Sequence, residues 1–153
     1  MEERQWLEDY TVGETLVAPA RTITETDFVN YAMISGDWHP IHVNAEYAKN
    51  SYFGQRILHG PAVYALGGST LMWMGPNTFA PKSFIAFIEM TDFRLAAPTF
   101  IGDTLHGELT VVGAEPKSKG RGILTYHCVV KKQTDEIVLS WTHKIMVGTK
   151  PKE

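Results

Sequence analysis

The stretch Gly60–Met74, GPAVYALGGSTLMWM, decides the fold. Glycine followed by proline is a helix start, because a proline in the first turn lacks an amide that the helix would leave unpaired anyway. The segment predicts the longest helix of the chain, running to a stop at Gly75-Pro76. It is apolar nearly all round, which marks an interior helix rather than a surface one. At about 13 residues it reaches roughly 20 Å, short of the ~30 Å needed to cross a bilayer.

Such a helix needs a cover, and the residues that follow supply one. Four strand-like runs come after it: Ser83–Leu95, Thr104–Ala114, Arg121–Gln133 and Ile137–Val147. In the last, Ile137, Leu139, Trp141, His143, Ile145 and Val147 alternate onto one face. Turn residues separate the runs, notably Pro116–Gly120 and Gln133–Glu136, and connections this short favour antiparallel neighbours. Upstream, Glu14–Thr24 reads as a further strand in which Pro19 marks an edge or a bulge. Thr24 and Asp27 are placed to cap a helix carrying the stripe Phe28, Tyr31, Ala32 and Ile34, and Gly36 stops it. Asn44 caps a shorter helix, Ala45–Lys49. One strand, short helices and then four strands make an α+β fold: an antiparallel sheet of about five strands wrapped around a buried central helix. Residues 1–153 read as one domain.

Composition narrows the function classes. Hydrophobic residues are 44% of 153, enough for a core and too many for a disordered chain. A net charge of −3 argues against a dedicated nucleic-acid binder. The single cysteine, Cys128, permits no internal disulfide and no cysteine-based zinc site. MEERQWLEDY, at the start, is charged and lacks the apolar run of a signal peptide. The expectation is a soluble, cytoplasmic protein with no membrane partner.

The residues that carry chemistry cluster in Ser35–His42, SGDWHPIH. A carboxylate and two imidazoles lie within six residues around a stiff proline. Asp37 and His42, held by a rigid backbone, can share one water, one group taking its proton while the other orients it. The same residues also fit a turn in which Asp37 only caps backbone amides. Pro40 keeps His39 out of helical geometry, so Asp37–His42 is expected to be non-helical. A second feature is Leu58-His59-Gly60-Pro61: glycine at a helix start leaves amides that can hold a developing oxyanion.

Three blocks carry a family resemblance. YAMISGDWHPIHVNAEYA (Tyr31–Ala48) resembles the hydratase signature of the MaoC-like dehydratase, or (R)-specific enoyl-CoA hydratase, family. FGQRILHGPAVYAL (Phe53–Leu66) and DFRLAAPTFIGDTL (Asp92–Leu105) resemble its second and third blocks, in the family order. The resemblance implies the hot-dog fold, which is the wrapped-helix arrangement above. It implies that Asp37 and His42 are catalytic and that the Gly60 amide binds the thioester oxygen. His39 stands where the family usually has asparagine, so acyl preference is the property most open to change. The implied reaction is reversible hydration of a trans-2-enoyl-CoA to an (R)-3-hydroxyacyl-CoA, with no metal and no redox cofactor.

Coenzyme A carries phosphates, for which Arg94, Lys117, Lys119 and Arg121 are candidate contacts, and His39 and His59 are further candidates to bind the substrate. Tyr31, Trp38, Tyr64, Met72, Trp73 and Met74 are candidates to line or plug an acyl pocket. The open sheet edges, with the resemblance, imply a homodimer or an assembly of dimers. The sequence also admits a metal site on Asp37, His39, His42 and His59, a Cys128 nucleophile, a hot-dog thioesterase and a non-catalytic acyl-CoA-binding module. Pro40 breaks any helical ligand pair, Cys128 sits mid-strand, and the central helix has no acidic residue to serve a thioesterase.

Overall fold

The computed structural model describes residues 3–74 and 79–151, residues 72–74 by their backbone alone. The expected stop at Gly75-Pro76 and the side chains of Met72, Trp73 and Met74 lie outside what is described. The predicted first strand is two short ones, β1 (Thr15–Val17) and β2 (Arg21–Thr22), interrupted around Pro19. Helix α1 (Glu25–Ser35) begins where Asp27 Oδ2 accepts the Thr24 amide at 2.8 Å and ends at Gly36, whose φ of 71° is the left-handed cap. Only part of its expected stripe is buried. Phe28 and Ala32 are, whereas Ile34, two positions past Ala32 and so on the opposite side of the helix, is 85% exposed.

The Asp37–His42 segment departs from expectation in part. Residues 36–39 are irregular, but Pro40 opens a four-residue helical turn, α2 (Pro40–Val43). The proline restricts the residue before it and leaves the residues after it free to coil. Asn44 then caps α3 (Ala45–Lys49) by accepting the Tyr47 amide at 3.0 Å.

The central helix α4 runs Gly60–Gly67, shorter than predicted, and continues as a 3₁₀ segment, Gly68–Met74. Two adjacent glycines weaken the helix there, and Thr70 completes the change. Its hydroxyl donates to the Gly67 carbonyl at 2.6 Å and accepts the Gly107 amide at 2.9 Å, fastening helix to sheet.

That sheet consists of six antiparallel strands. To β1 and β2 it adds β3 (Phe84–Leu95), β4 (Thr104–Lys117), β5 (Arg121–Lys132) and β6 (Ile137–Gly148). Its order is β1-β4-β5-β6-β3, with β2 also on β4. The inward faces of β4, β5 and β6 bury Leu105, Leu109, Leu124, Val130, Trp141 and Ile145. Helix α4 lies against those three strands through Ala62, Val63 and Gly67. Glycine is needed at 67, because a Cβ there would stand 2.6 Å from Val130 Cγ1. The predicted alternation of the last strand holds from Leu139 to Val147, and Ile137 is 41% exposed at the strand's start.

The edge strand β3 is irregular. Its pairing with β6 shifts register three times, and Asp92 has a φ of 54°. Its apolar side chains Phe84, Ile85, Phe87, Ile88, Phe93 and Leu95 are each 42–49% exposed.

Candidate active site

The turn after α1 is built from side chains bonding to nearby backbone. Ser35 Oγ donates to the Tyr31 carbonyl at 2.7 Å and accepts the Asp37 amide at 3.2 Å. Asp37 Oδ1 accepts the His39 amide at 3.1 Å, and His39 Nδ1 accepts the Ile41 amide at 3.2 Å. Asp37 therefore does cap a backbone amide, as one sequence reading had it, and uses only one oxygen to do so. The other, Oδ2, faces His42 Nε2 at 3.9 Å.

His42 is locked from behind. Its Nδ1–H donates to the Ile57 carbonyl at 2.7 Å, which leaves Nε2 without the proton and open as an acceptor. Burial, the largest influence on it, pushes its pKa below the ordinary 6.5, so the ring stays neutral near pH 7. Two acceptors 3.9 Å apart accommodate one water at about 2.8 Å from each, donating a hydrogen to both.

His59 lies under this pair rather than in front of it. It is 1% exposed, and its ring stacks on that of His42 with centroids 3.8 Å apart and planes 25° apart. Its Nε2–H donates to the Asp37 backbone carbonyl at 2.9 Å. As the residue before α4 it turns its side chain inward, and it is not among the residues that line the cavity beside Gly60, where the sequence had suggested a substrate contact. His39, by contrast, is exposed, caps α2, and meets His42 only edge-on at 6.2 Å.

Gly60 opens α4, so its amide is one that helix geometry leaves unpaired, beside the positive end of the helix dipole. A Cβ at 60 would come within 2.2 Å of Leu95 Cδ1. A cavity of about 300 Å³ brings His42, Ile57, Gly60, Val63, Leu95 and Thr99 into one wall. Thr99 is 1% exposed and its Oγ1 has no hydrogen-bond partner. Arg94, exposed on β3, adjoins this wall through Leu95.

The other basic candidates are elsewhere. Lys119 and Arg121 lie at the β4–β5 turn, Lys119 with a φ of 61°, whereas His42 shares its cavity wall with Thr99, five residues before β4 begins. A dozen strand residues at ~3.3 Å each separate the two ends, about 36 Å along β5, so these residues do not meet the dyad of their own chain. Lys117 pairs with Glu115 at 2.7 Å.

By distance, Asp37, His42 and His59 each offer one ligand atom within 4.8 Å of the others. The two rings stack 25° from parallel, however, and two of their four nitrogens already donate to backbone carbonyls. Cys128 is fully buried, which pushes its thiol pKa up and removes it as a nucleophile. The sequence offered no signal for the Ile57 carbonyl or for Leu95 against Gly60, because these contacts join residues through backbone atoms or across the fold.

The MaoC like domain profile matches residues 9–132. The chain belongs to the MaoC-like domain family. This MaoC-like chain is 32% identical over 114 residues to the (R)-specific enoyl-CoA hydratase of Rhodospirillum rubrum, covering 74% of each. It is 32% identical over 146 residues to 3-hydroxybutyryl-CoA dehydratase of Methylorubrum extorquens, covering 95% of this chain and 85% of that one. Against Protein MaoC of Klebsiella aerogenes it is 33% identical over 107 residues, 70% of this chain but only 30% of that protein's length. The solved structure of a monoamine oxidase regulatory protein from Archaeoglobus superposes with a TM-score of 0.88 at 29% identity, covering 98% of both chains. A double hotdog-fold protein of Mycobacterium tuberculosis superposes at 0.79 with 18% identity, covering 98% of this chain and 46% of that one, which supports the hot-dog fold. At family level this MaoC-like chain is a lyase of the hydratase/dehydratase type. Among the described residues no helix is long and apolar enough to cross a membrane.

Proposed function

We propose that this MaoC-like chain reversibly adds water to a trans-2-enoyl-CoA, giving an (R)-3-hydroxyacyl-CoA. The observation that carries the reading is Asp37 Oδ2 facing a proton-free His42 Nε2 at 3.9 Å, beside the cavity that Gly60 lines. Water held between the two attacks C3 while His42 Nε2 takes one of its protons. The electron pair of the C2–C3 double bond moves to C2 and the thioester carbonyl, whose oxygen gains negative charge beside the Gly60 amide. His42 then returns the proton to C2, so the elements of one water are added and both groups regain their starting states. The addition changes no net oxidation state and so calls for no redox cofactor, and the dyad itself activates the water without a metal. The relatives named as an enoyl-CoA hydratase and a 3-hydroxybutyryl-CoA dehydratase support the substrate class.

The catalytic unit is further proposed to be a homodimer formed through β3, which presents half-exposed apolar side chains along a free sheet edge. Arg94 and the Lys119–Arg121 turn remain proposed contacts for coenzyme A phosphates, the latter only by way of a partner copy. The test is incubation with a panel of 2-enoyl-CoA thioesters. Loss of the conjugated enoyl absorbance with an R product supports the reading. Release of free thiol in its place would indicate a thioesterase, and binding without turnover would indicate a carrier.

A further inference from the structure

A second cavity of about 190 Å³ lies farther along the central helix, with Tyr64, Gly68, Leu71, Phe79, Trp141 and His143 in its wall. It holds a group about the size of benzene, judged against cavities of ~150 Å³ that do so. His143 is the anomaly. It sits on the inward face of β6, is 2% exposed, and is surrounded by the rings of Phe79, Tyr126 and Trp141.

The tautomer of His143 follows from its neighbours. Trp141 Nε1–H donates to His143 Nδ1 at 3.0 Å, and Cys128 Sγ lies 3.8 Å from the same nitrogen. Nδ1 is therefore an acceptor, and in the neutral ring the proton is on Nε2. Burial lowers the pKa of His143 to about 4, so the ring is neutral at pH 7. Nε2 has no hydrogen-bond partner. A buried N–H donor without a protein partner costs stability, and a phenylalanine would fill this aromatic surround without that cost.

The route from the dyad to this donor is marked by side chains of β3. A Cβ on Gly60 of α4 would meet Leu95, Tyr64 of α4 meets Phe93 edge-on at 6.1 Å, and His143 of β6 meets Phe87 at 5.7 Å. Leu95, Phe93 and Phe87 step one way along β3, from the reacting end toward the second cavity. Tyr64 and Gly68 stand one and two turns beyond Gly60, about 6 and 12 Å along the helix. Carbon–carbon bonds of about 1.5 Å advance an extended chain by roughly 1.3 Å each, so the tail of a medium-length acyl group spans this interval.

Resting on the hydratase reading above, we infer that His143 reads an uncharged oxygen acceptor on the distal acyl chain, so that the substrate class is a 2-enoyl-CoA bearing a ketone or hydroxyl near its far end. A carboxylate does not fit: among the described residues of the wall none is charged, and burying an anion without a cation is costly.

The experiment measures kcat/KM for 2-enoyl-CoA substrates of about six to ten carbons, each with and without a ketone next to the terminal carbon. Isothermal titration with the corresponding saturated acyl-CoA pairs reads the same preference without turnover. Wild type is expected to favour the oxo chain by about tenfold at its best length, mostly in KM, the scale of one buried hydrogen bond. His143→Phe is expected to remove that preference, and His143→Gln, which keeps an N–H donor, to restore part of it. Equal values for oxo and plain chains in wild type, with turnover intact, would overturn the inference and leave the hydratase reading standing. An oxo preference in binding with no hydration of any thioester would do the reverse. If His143→Phe does not fold, the wild-type ratio and His143→Gln decide: the inference stands only if both prefer the oxo chain.

Discussion

His59 Nε2–H donates to the backbone carbonyl of Asp37 at 2.9 Å, tying the residue just before the central helix to the residue that carries the proposed catalytic carboxylate. The bond crosses 22 positions of sequence and fixes the loop, not the carboxylate itself. His59→Leu is expected to lower kcat about tenfold to a hundredfold through misplacement of Asp37. It should also cost about 1 kcal/mol of stability through loss of that hydrogen bond. Steady-state kinetics together with urea unfolding separate the two effects. Wild-type kcat in a folded variant would remove His59 from the positioning role.

Asp37 and His42 are expected to act as one unit. Asp37→Asn and His42→Gln should each lower the hydration rate by about 10²–10⁴, and the double variant should lose far less than the product, since both hold the same water. A folded Asp37→Asn protein that hydrates its best enoyl-CoA at the wild-type rate would sink the mechanism.

Gly60→Ala tests the helix start. Its Cβ would collide with Leu95 Cδ1, the tip of a side chain that is 49% exposed and free to swing away. The expected result is a modest loss of stability and a several-fold rise in KM as Leu95 is displaced within the cavity wall. Gly60→Ala/Leu95→Ala should recover part of the lost affinity, which a double-mutant cycle on KM would read.

Acid should destabilise the protein through His143. Its pKa is about 4 in the fold against an ordinary 6.5, so between those values the unfolded chain binds more protons than the native one. Stability is therefore complete above about pH 6.5 and falls as pH drops toward 4, by about 2 kcal/mol from pH 7 to pH 5. His42, also lowered, adds in the same direction. Urea midpoints at pH 7 and 5 check this, and His143→Phe should flatten most of the slope.

Ile88→Lys and Ile85→Lys place charge on the exposed β3 edge, where the two side chains are 47% and 49% exposed. Wild type is expected to scatter light as twice 17.1 kDa, and the double variant as a monomer. A monomeric wild type at micromolar concentration would refute the proposed dimer.

What the sequence revealed depended on how local the cause was. Thr24, Asp27 and Gly36 bounded α1 because capping is settled within a few residues. Alternation in β6 showed its buried face for the same reason. The break in α4 was only half legible: Gly67-Gly68 could be read locally, but the change to 3₁₀ also depends on Thr70 reaching Gly107, 37 positions away. Asp37 and His42 could be picked out by residue type and spacing, but the tautomer of His42 is set by a backbone carbonyl, which every residue possesses. Lys119 and Arg121 are two positions apart in sequence, and only the strand length shows how far they are from Asp37.

The three register breaks in β3 also govern what can join its outer side. A straight run of 12 residues with evenly spaced free amides and carbonyls would accept any extended strand and could propagate into a fibre. Kinks at Phe84–Ala86, Phe87–Glu89 and Thr91–Arg94 leave only short regular stretches between them. A mate must repeat the same irregular spacing in reverse, which a second copy related by a two-fold axis does and a random peptide does not. In the proposed dimer the bulges would thus act as a key that admits one self-pairing and disfavours runaway polymerisation.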